Sequence, residues 1–128
     1  MLSISTIERL LHYAAYKAPQ EMCGLLFDED AFLQCENMAQ YPERQFMLHQ
    51  SDYDHACKIM NKQPWAIVHS HPGRGAAASP PDCKLMDALT RSNLSLSMVI
   101  VGMNPREIRC FKKKGDLYNL EWVHVSQV

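Results

Sequence analysis

The sequence has little of what would assign it to several specialised classes of protein. Its five cysteines are scattered through 128 residues, and no two of them form a Cys-x-x-Cys pair. This pattern argues against a disulfide framework or a cysteine-ligated zinc site and favours a reducing compartment. No apolar run approaches the roughly 20 residues that span a bilayer, and residues 1–4 lack the basic segment that begins a secretory signal. We therefore expect a cytoplasmic protein without a membrane-spanning segment.

An excess of charge of one sign is also missing. The 13 Lys and Arg residues nearly balance the 14 Asp and Glu residues, for a formal net charge of −1. We therefore expect no attraction to nucleic acid or to an anionic membrane. The one basic cluster, residues 112–114, precedes Gly115 and Asp116, which predicts a solvated hairpin turn. A length of 128 residues with 47% apolar content suits a single globular domain covering residues 1–128.

The most informative stretch is residues 65–82. Residues 65–68 are apolar and lie between two prolines, which predicts a short buried strand. His69 and His71 extend that strand, and their spacing of two places both imidazoles on the same face. A segment rich in Gly and Ala follows, and Ser79, Pro80 and Asp82 then begin a predicted helix.

Two histidines and one carboxylate form a ligand set that leaves a fourth zinc position for water, which is typical of a catalytic site. Each part also has an ordinary structural interpretation. A His-x-His pair at a strand end can be two polar residues leaving the core. Ser79 and Asp82 can be a helix N-cap and a carboxylate that complements the helix dipole.

The order His69-Ser70-His71-Pro72, followed by Ser79 and Asp82, resembles the His-Ser/Thr-His-Pro and Ser-x-x-Asp motif of the JAMM (MPN-plus, Mov34-type) zinc metalloproteases. That family also carries a glutamate near its first strand, ahead of a Gly and small apolar residues. The segment 19–26, which contains Glu-Met-Cys-Gly-Leu-Leu, is similar to that element. The resemblance covers nearly the whole chain.

The resemblance implies a role for five residues. His69, His71 and Asp82 would hold one Zn²⁺ per chain. Glu21 would act as general base and then general acid, and the Ser79 hydroxyl would stabilise the oxyanion. Outside this context, a glutamate just after a helix-ending proline is usually a solvated loop residue.

Other residues near the motif have open interpretations. Ser70 alternates with the histidines, so we expect it to turn away from the metal and bond a neighbouring backbone group. Residues 73–78 form either a flexible surface loop or a mobile rim, with Arg74 available to a carboxylate of the substrate. His49 is more typical of a surface or half-buried residue than of a ligand, although it could line a substrate groove.

Hydrophobic periodicity and turn residues predict an α/β domain with a mixed sheet flanked by about three helices. The resemblance implies that this domain is of the JAMM/MPN type (cytidine-deaminase-like). Helices are expected at residues 3–18, after a Ser51 cap, and at residues 80–91. Ser5 and Glu8 would form a capping box in the first helix. Strands are expected at residues 23–27, 31–38, 46–48, 65–71, 96–101, 107–111 and 117–125.

The resemblance further implies a peptidase or isopeptidase that acts on a protein or peptide, with ubiquitin-like proteins among the candidate substrates. The chain is too short for the insertions with which eukaryotic deubiquitinases grip ubiquitin, and it looks like the minimal prokaryotic version. The Phe-x-Leu-x-x-x-Asp-Tyr segment at residues 46–53 and the Ile-Val-His-Ser-His-Pro core resemble the branch found in phage tail-assembly proteins. A peptidase that processes a ubiquitin-like sulfur carrier is the alternative. A metal-free MPN scaffold is a third interpretation, and a homodimer is an open expectation.

Overall fold

The computed structural model describes residues 2–125, which form three helices and six strands. In chain order the elements are α1 (Ile4–Lys17), β1 (Cys23–Leu26), β2 (Phe32–Cys35), α2 (Gln50–Met60), β3 (Ala66–His71), α3 (Pro80–Arg91), β4 (Ser97–Met103), β5 (Arg106–Lys114) and β6 (Leu117–Val125). No helix within this part of the chain is both long enough and apolar enough to cross a membrane.

The six strands form one mixed sheet in the order β2-β1-β3-β4-β5-β6. All neighbours are antiparallel except β3 and β4, which are parallel. A parallel pair needs a crossover connection, and α3 provides it. The predicted mixed α/β architecture with three helices is therefore confirmed.

Each face of the sheet is covered by helices. Leu10, Leu11 and Ala14 of α1 pack with alternate residues of β3 and β4, among them Val68 and Val99. The opposite face carries a second cluster, in which α2 and α3 cover the other residues of the same strands. Its core members on these elements are Ala56, Ile67, Met86, Met98 and Ile100. Since side chains alternate along a strand, His69 and His71 share the α3 face with Ile67, and Ser70 faces α1.

The N-cap of the first helix lies two residues before its expected position. Ser3 is the N-cap, and its hydroxyl accepts from the Thr6 backbone N–H, so the predicted Ser5 and Glu8 capping box is wrong. Ile4 is consequently exposed in the first turn. Competing caps only two residues apart cannot be separated by local sequence, since both place a hydroxyl ahead of an apolar stripe.

The segment between β2 and α2 differs most from expectation. The strand predicted at residues 46–48 is absent, and His49 rather than Ser51 caps α2, with Nδ1 accepting from the Ser51 N–H. Asn37 is the reason for the difference. Its side chain donates to the Gln45 carbonyl at 2.8 Å and accepts from the Met47 N–H at 3.1 Å. These bonds satisfy the backbone groups that a strand partner would otherwise use.

The last strand has the predicted bounds but not the predicted face. Its alternating sequence predicts that Tyr118, Leu120 and Trp122 share one side, yet the pairing with β5 shifts between Cys110 and Phe111. This bulge sends Trp122 to the cluster under α1 and Tyr118 to the opposite cluster. An extra residue in one strand moves the side chains beyond it to the opposite face of the sheet, and no local sequence pattern predicts such a bulge.

Gly24 of β1 lies where the backbone and a side chain of β2 approach closely. A Cβ at this position would lie 2.5 Å from the Leu33 carbonyl oxygen and 2.6 Å from the Phe32 ring. The hairpin of β1 and β2 therefore closes only around a residue without a side chain. The five cysteines are all free thiols.

Candidate metal centre

The two histidines of the motif end β3 and are buried. His69 is 0% exposed and His71 is 1% exposed, and their ring centroids lie 5.1 Å apart. Both side chains project from the α3 face, where the period of the strand brings them together as predicted.

Asp82 approaches the histidines from the first turn of α3. Ser79 is the N-cap of that helix, and its hydroxyl oxygen accepts from the Asp82 N–H at 3.3 Å. The Asp82 carboxylate accepts in return from the Ser79 N–H at 2.9 Å, which completes a capping box. The ordinary helix-start interpretation therefore holds, and it also sets the orientation of the carboxylate toward β3.

The three side chains converge on one point. His69 Nε2 lies 2.9 Å from Asp82 Oδ1, and His71 Nε2 lies 3.3 Å from Asp82 Oδ2. One ligand atom from each residue falls within 4.8 Å of the others. The structure thus brings together the three residues that the motif predicts as metal ligands.

The nitrogen atoms of this cluster fit a metal ion. His69 Nδ1, His69 Nε2 and His71 Nε2 are buried without a hydrogen-bond partner within residues 2–125. Although His69 Nε2 is close to Asp82, the contact lacks the alignment of a hydrogen bond. A buried polar atom left unpaired costs about 1–3 kcal/mol. Two imidazoles and one carboxylate are also the donor set of three-ligand catalytic zinc sites.

Electrostatics favour the protonation states that bind metal. Burial lowers the pKa of His69, which keeps the imidazole neutral. Burial opposes the ionisation of Asp82, but the contacts with His69 and His71 outweigh it, so the pKa of Asp82 lies well below its ordinary value. A neutral imidazole and an ionised carboxylate are the forms that coordinate a cation.

Both histidine rings are held in place by neighbours. His71 Nδ1 lies 2.8 Å from the Gly75 carbonyl oxygen. A carbonyl can only accept, so Nδ1 carries the proton and Nε2 is left free toward Asp82. The His69 ring is stacked on Phe46, with centroids 4.3 Å apart and planes inclined by 17°.

Glu21 is buried beside the cluster, which excludes the solvated-loop interpretation of this residue. It is 5% exposed. In the pairing of β1 with β3, Cys23 is opposite His69, so the same register brings Glu21 opposite His71. Burial raises the pKa of Glu21 to about 7, although His71 and Arg74 act to lower it.

A cleft of about 700 Å³ lies over the cluster. Glu21, Ser79 and Asp82 line it together with Arg44, Phe46 and Arg74. Sequence reasoning missed Arg44 and did not single out Phe46 as a ring that packs on His69. Neither a loop arginine nor a single phenylalanine carries a local signal of its destination.

Residues 73–78 are docked along their backbone. The Arg74 carbonyl accepts from the N–H groups of Met103 and Asn104 at 3.0 and 3.2 Å. Ala76 is fully buried in the core on the α3 face. The backbone at Arg74 and Ala76 is therefore bonded to β4 and β5 rather than free at the surface, and Arg74 lines the cleft.

Comparison with known proteins assigns the family. A model of the prokaryotic homologues of the JAB domain matches residues 3–114, so the chain belongs to this family. The JAB/MPN membership expected from the motif is thereby confirmed. A search of curated proteins found no match.

A solved structure agrees with this assignment. The solution structure of protein DSY2949 from Desulfitobacterium hafniense is 27% identical in sequence, with a TM-score of 0.74. The match covers 94% of this chain and 88% of that one. The two proteins therefore share the domain over almost their whole lengths.

Proposed function

We propose that this protein is a zinc-dependent peptidase or isopeptidase of the JAMM type. One observation carries the proposal: His69, His71 and Asp82 converge with orphaned ligand atoms in the same cleft as the buried Glu21. A structural metal site has no need of a buried carboxylic acid beside it whose pKa is about 7. Hydrolysis of an amide has such a need, because a proton must be taken from water and given to the leaving amine.

The roles of the residues follow from their positions. Zn²⁺ bound by His69, His71 and Asp82 would act as a Lewis acid and lower the pKa of a bound water to about 7. Glu21 would accept a proton from the attacking water and return it to the amine, since a pKa near 7 suits both transfers. The Ser79 oxygen is occupied as a helix cap, but its hydroxyl proton remains available for the carbonyl oxygen of the substrate.

The cleft favours a substrate with a carboxylate close to the scissile bond. Arg44 and Arg74 both line it, and neither forms an ion pair within residues 2–125. Arg44 is held over the Tyr41 ring, 4.8 Å from its centroid. Glu43 lines the adjoining depression, so two guanidinium groups face one exposed carboxylate there. An acidic side chain or a C-terminal carboxylate of a peptide would complement this local excess of positive charge.

The biological substrate we propose is a protein that is cut near its end, in phage tail assembly. The resemblance of residues 46–53 and of the His-Ser-His-Pro core to the phage branch supports this choice. A ubiquitin-like sulfur-carrier protein is the alternative. Neighbouring genes separate the two: tail genes favour the first, and a sulfur carrier with a cysteine synthase favours the second. The proposed setting is the cytoplasm, with a possible homodimer and without nucleic-acid or membrane partners.

The first test is the zinc content of the purified protein, measured by plasma mass spectrometry without chelator treatment. We expect about one zinc per chain, which a His69→Ala/His71→Ala variant loses while it remains folded by circular dichroism. A Glu21→Gln variant should keep zinc and lose hydrolysis of a confirmed substrate. If the protein binds no zinc when zinc is supplied, the interpretation as a metal-free MPN scaffold would replace the proposed enzyme. Full activity of Glu21→Gln would refute the assigned mechanism.

A further inference from the structure

Three residues on three neighbouring strands lie in one row across the sheet. His71 of β3 is opposite Gly102 of β4, and Gly102 is opposite Glu107 of β5. Side chains in such a row project from the same face. His71 and Glu107 therefore lie on either side of a position that has no side chain.

The backbone of the loop after β3 passes through the space above Gly102. A Cβ at Gly102 would lie 2.5 Å from the Ala76 nitrogen and 2.5 Å from the Gly75 carbonyl carbon. Real Cβ atoms do not approach backbone this closely. The Gly75–Ala76 peptide can therefore occupy its position only because residue 102 is glycine.

This one peptide group is held from both sides. Its carbonyl oxygen, on Gly75, accepts from His71 Nδ1 at 2.8 Å. Its N–H, on Ala76, donates to Glu107 Oε1 at 3.0 Å. The C=O and N–H of a planar trans peptide point in opposite directions, so the group joins the carboxylate to the imidazole through two hydrogen bonds in series.

Glu107 is itself held in position. It is 8% exposed, and Arg109, two residues along β5, donates to it from Nη2 at 3.4 Å. The Arg109 guanidinium and the Ala76 N–H thus both donate to this carboxylate and fix its orientation.

We propose that Glu107 is a positioning residue for the metal ligand His71 and acts through the Gly75–Ala76 peptide. The carboxylate polarises the peptide, which strengthens the carbonyl as an acceptor and keeps the proton on Nδ1. In that tautomer Nε2 is the acceptor nitrogen, and it is directed at Asp82. Histidine ligands commonly receive such support from a carboxylate or a carbonyl directly, whereas here a carboxylate acts through a peptide bond. The inference rests on the proposed metal site, but the state of the His71 ring can be tested without metal.

The experiment compares Glu107→Ala, Glu107→Gln and Ile108→Val in the full chain. Ile108 is the neighbour of Glu107 on β5, is fully buried, and belongs to the cluster on the opposite face. The Ile108→Val variant therefore reports a loss of stability in the same strand without touching the peptide. Zinc affinity is measured by competition with a chelating dye, and the His71 tautomer of metal-free protein by long-range ¹H–¹⁵N NMR.

We expect Glu107→Ala to weaken zinc binding about 10- to 100-fold and to replace the single Nδ1–H tautomer of His71 by a mixture. Glu107→Gln keeps an oxygen for the Ala76 N–H without the charge, so its loss should be smaller. Ile108→Val should bind zinc like the wild type. An unchanged tautomer and affinity in both Glu107 variants would overturn the proposal, as would an equal loss in Ile108→Val. If the wild type binds no zinc, the proposed function fails, while the tautomer still decides the role of Glu107.

Discussion

The hydroxyl oxygen of Ser70 accepts a hydrogen bond from the backbone N–H of Met22 at 2.7 Å. The Met22 carbonyl in turn accepts from the Ser70 N–H at 2.9 Å. The residue between the two histidines is thus bonded to the residue that follows Glu21. This pair ties the candidate general base to the candidate ligands, and it confirms that Ser70 turns away from the histidines toward a neighbouring backbone group.

Replacing Ser70 by alanine should therefore lower the stability of the protein. The buried Met22 N–H would lose its side-chain acceptor, which we expect to lower the free energy of unfolding by about 1–3 kcal/mol. Urea denaturation of metal-free protein measures this loss. Ser5→Ala is the control, because Ser5 is exposed on α1 and alanine favours a helix. A Ser70→Ala variant as stable as the Ser5→Ala variant would contradict the role of this bond.

The pKa of Glu21 predicts a pH-dependent stability. Because burial raises its pKa to about 7, the folded protein holds a proton that the unfolded chain releases near pH 4.5. The protonated Glu21 contributes to the free energy of unfolding. Its contribution is fully present below pH 4.5 and is lost as pH rises through about 7, by about 3 kcal/mol in total. Glu21→Gln cannot ionise and should lack this loss.

The comparison is made on metal-free protein by urea denaturation between pH 4 and pH 8. Relative to the wild type, Glu21→Gln should become progressively more stable as pH rises, and the two should differ little at pH 4. Titration of residues that are not coupled to Glu21 is common to both proteins and cancels. Parallel stability curves for the two proteins would show that Glu21 does not titrate near pH 7.

Zinc should stabilise the folded protein, because the unfolded chain has no preformed site. Free zinc at 100 times its dissociation constant would add about 2.7 kcal/mol to the free energy of unfolding. Thermal melts with and without zinc measure the shift, and excess chelator should reverse it. The His69→Ala/His71→Ala variant should show no shift. An equal shift in that variant would place the metal at another site.

Arg74 should matter for acidic substrates. Replacing it by alanine should raise KM for a peptide with a carboxylate near the scissile bond and leave kcat little changed, since the side chain would bind substrate without taking part in proton transfer. The comparison uses an acidic peptide and its neutral amide counterpart. Arg91→Ala at the end of α3 is the matched control. Equal effects of Arg74→Ala on both peptides would argue against recognition of a carboxylate.

Much of the fold could be predicted because its signals are local. The bounds of α3 and β6 agree with the predicted residues 80–91 and 117–125, since the first has a Ser-Pro start and the second follows a Gly-Asp turn. The segment 36–49 could not be predicted. Its course depends on the side chain of Asn37, which donates to the carbonyl of Glu21, earlier in the sequence, and to that of Gln45, later in the sequence.

The sequence by itself determined the candidate ligand set. A spacing of two on a strand and a Ser-Pro-Pro-Asp helix start are local rules that place His69 and His71 on one face and orient Asp82. Only the tertiary structure decided how that set is supported. Glu21 meets His71 through the register of β1 with β3, and Glu107 reaches it through a peptide that crosses Gly102. These contacts depend on how distant strands pair, and no short stretch of sequence contains that information.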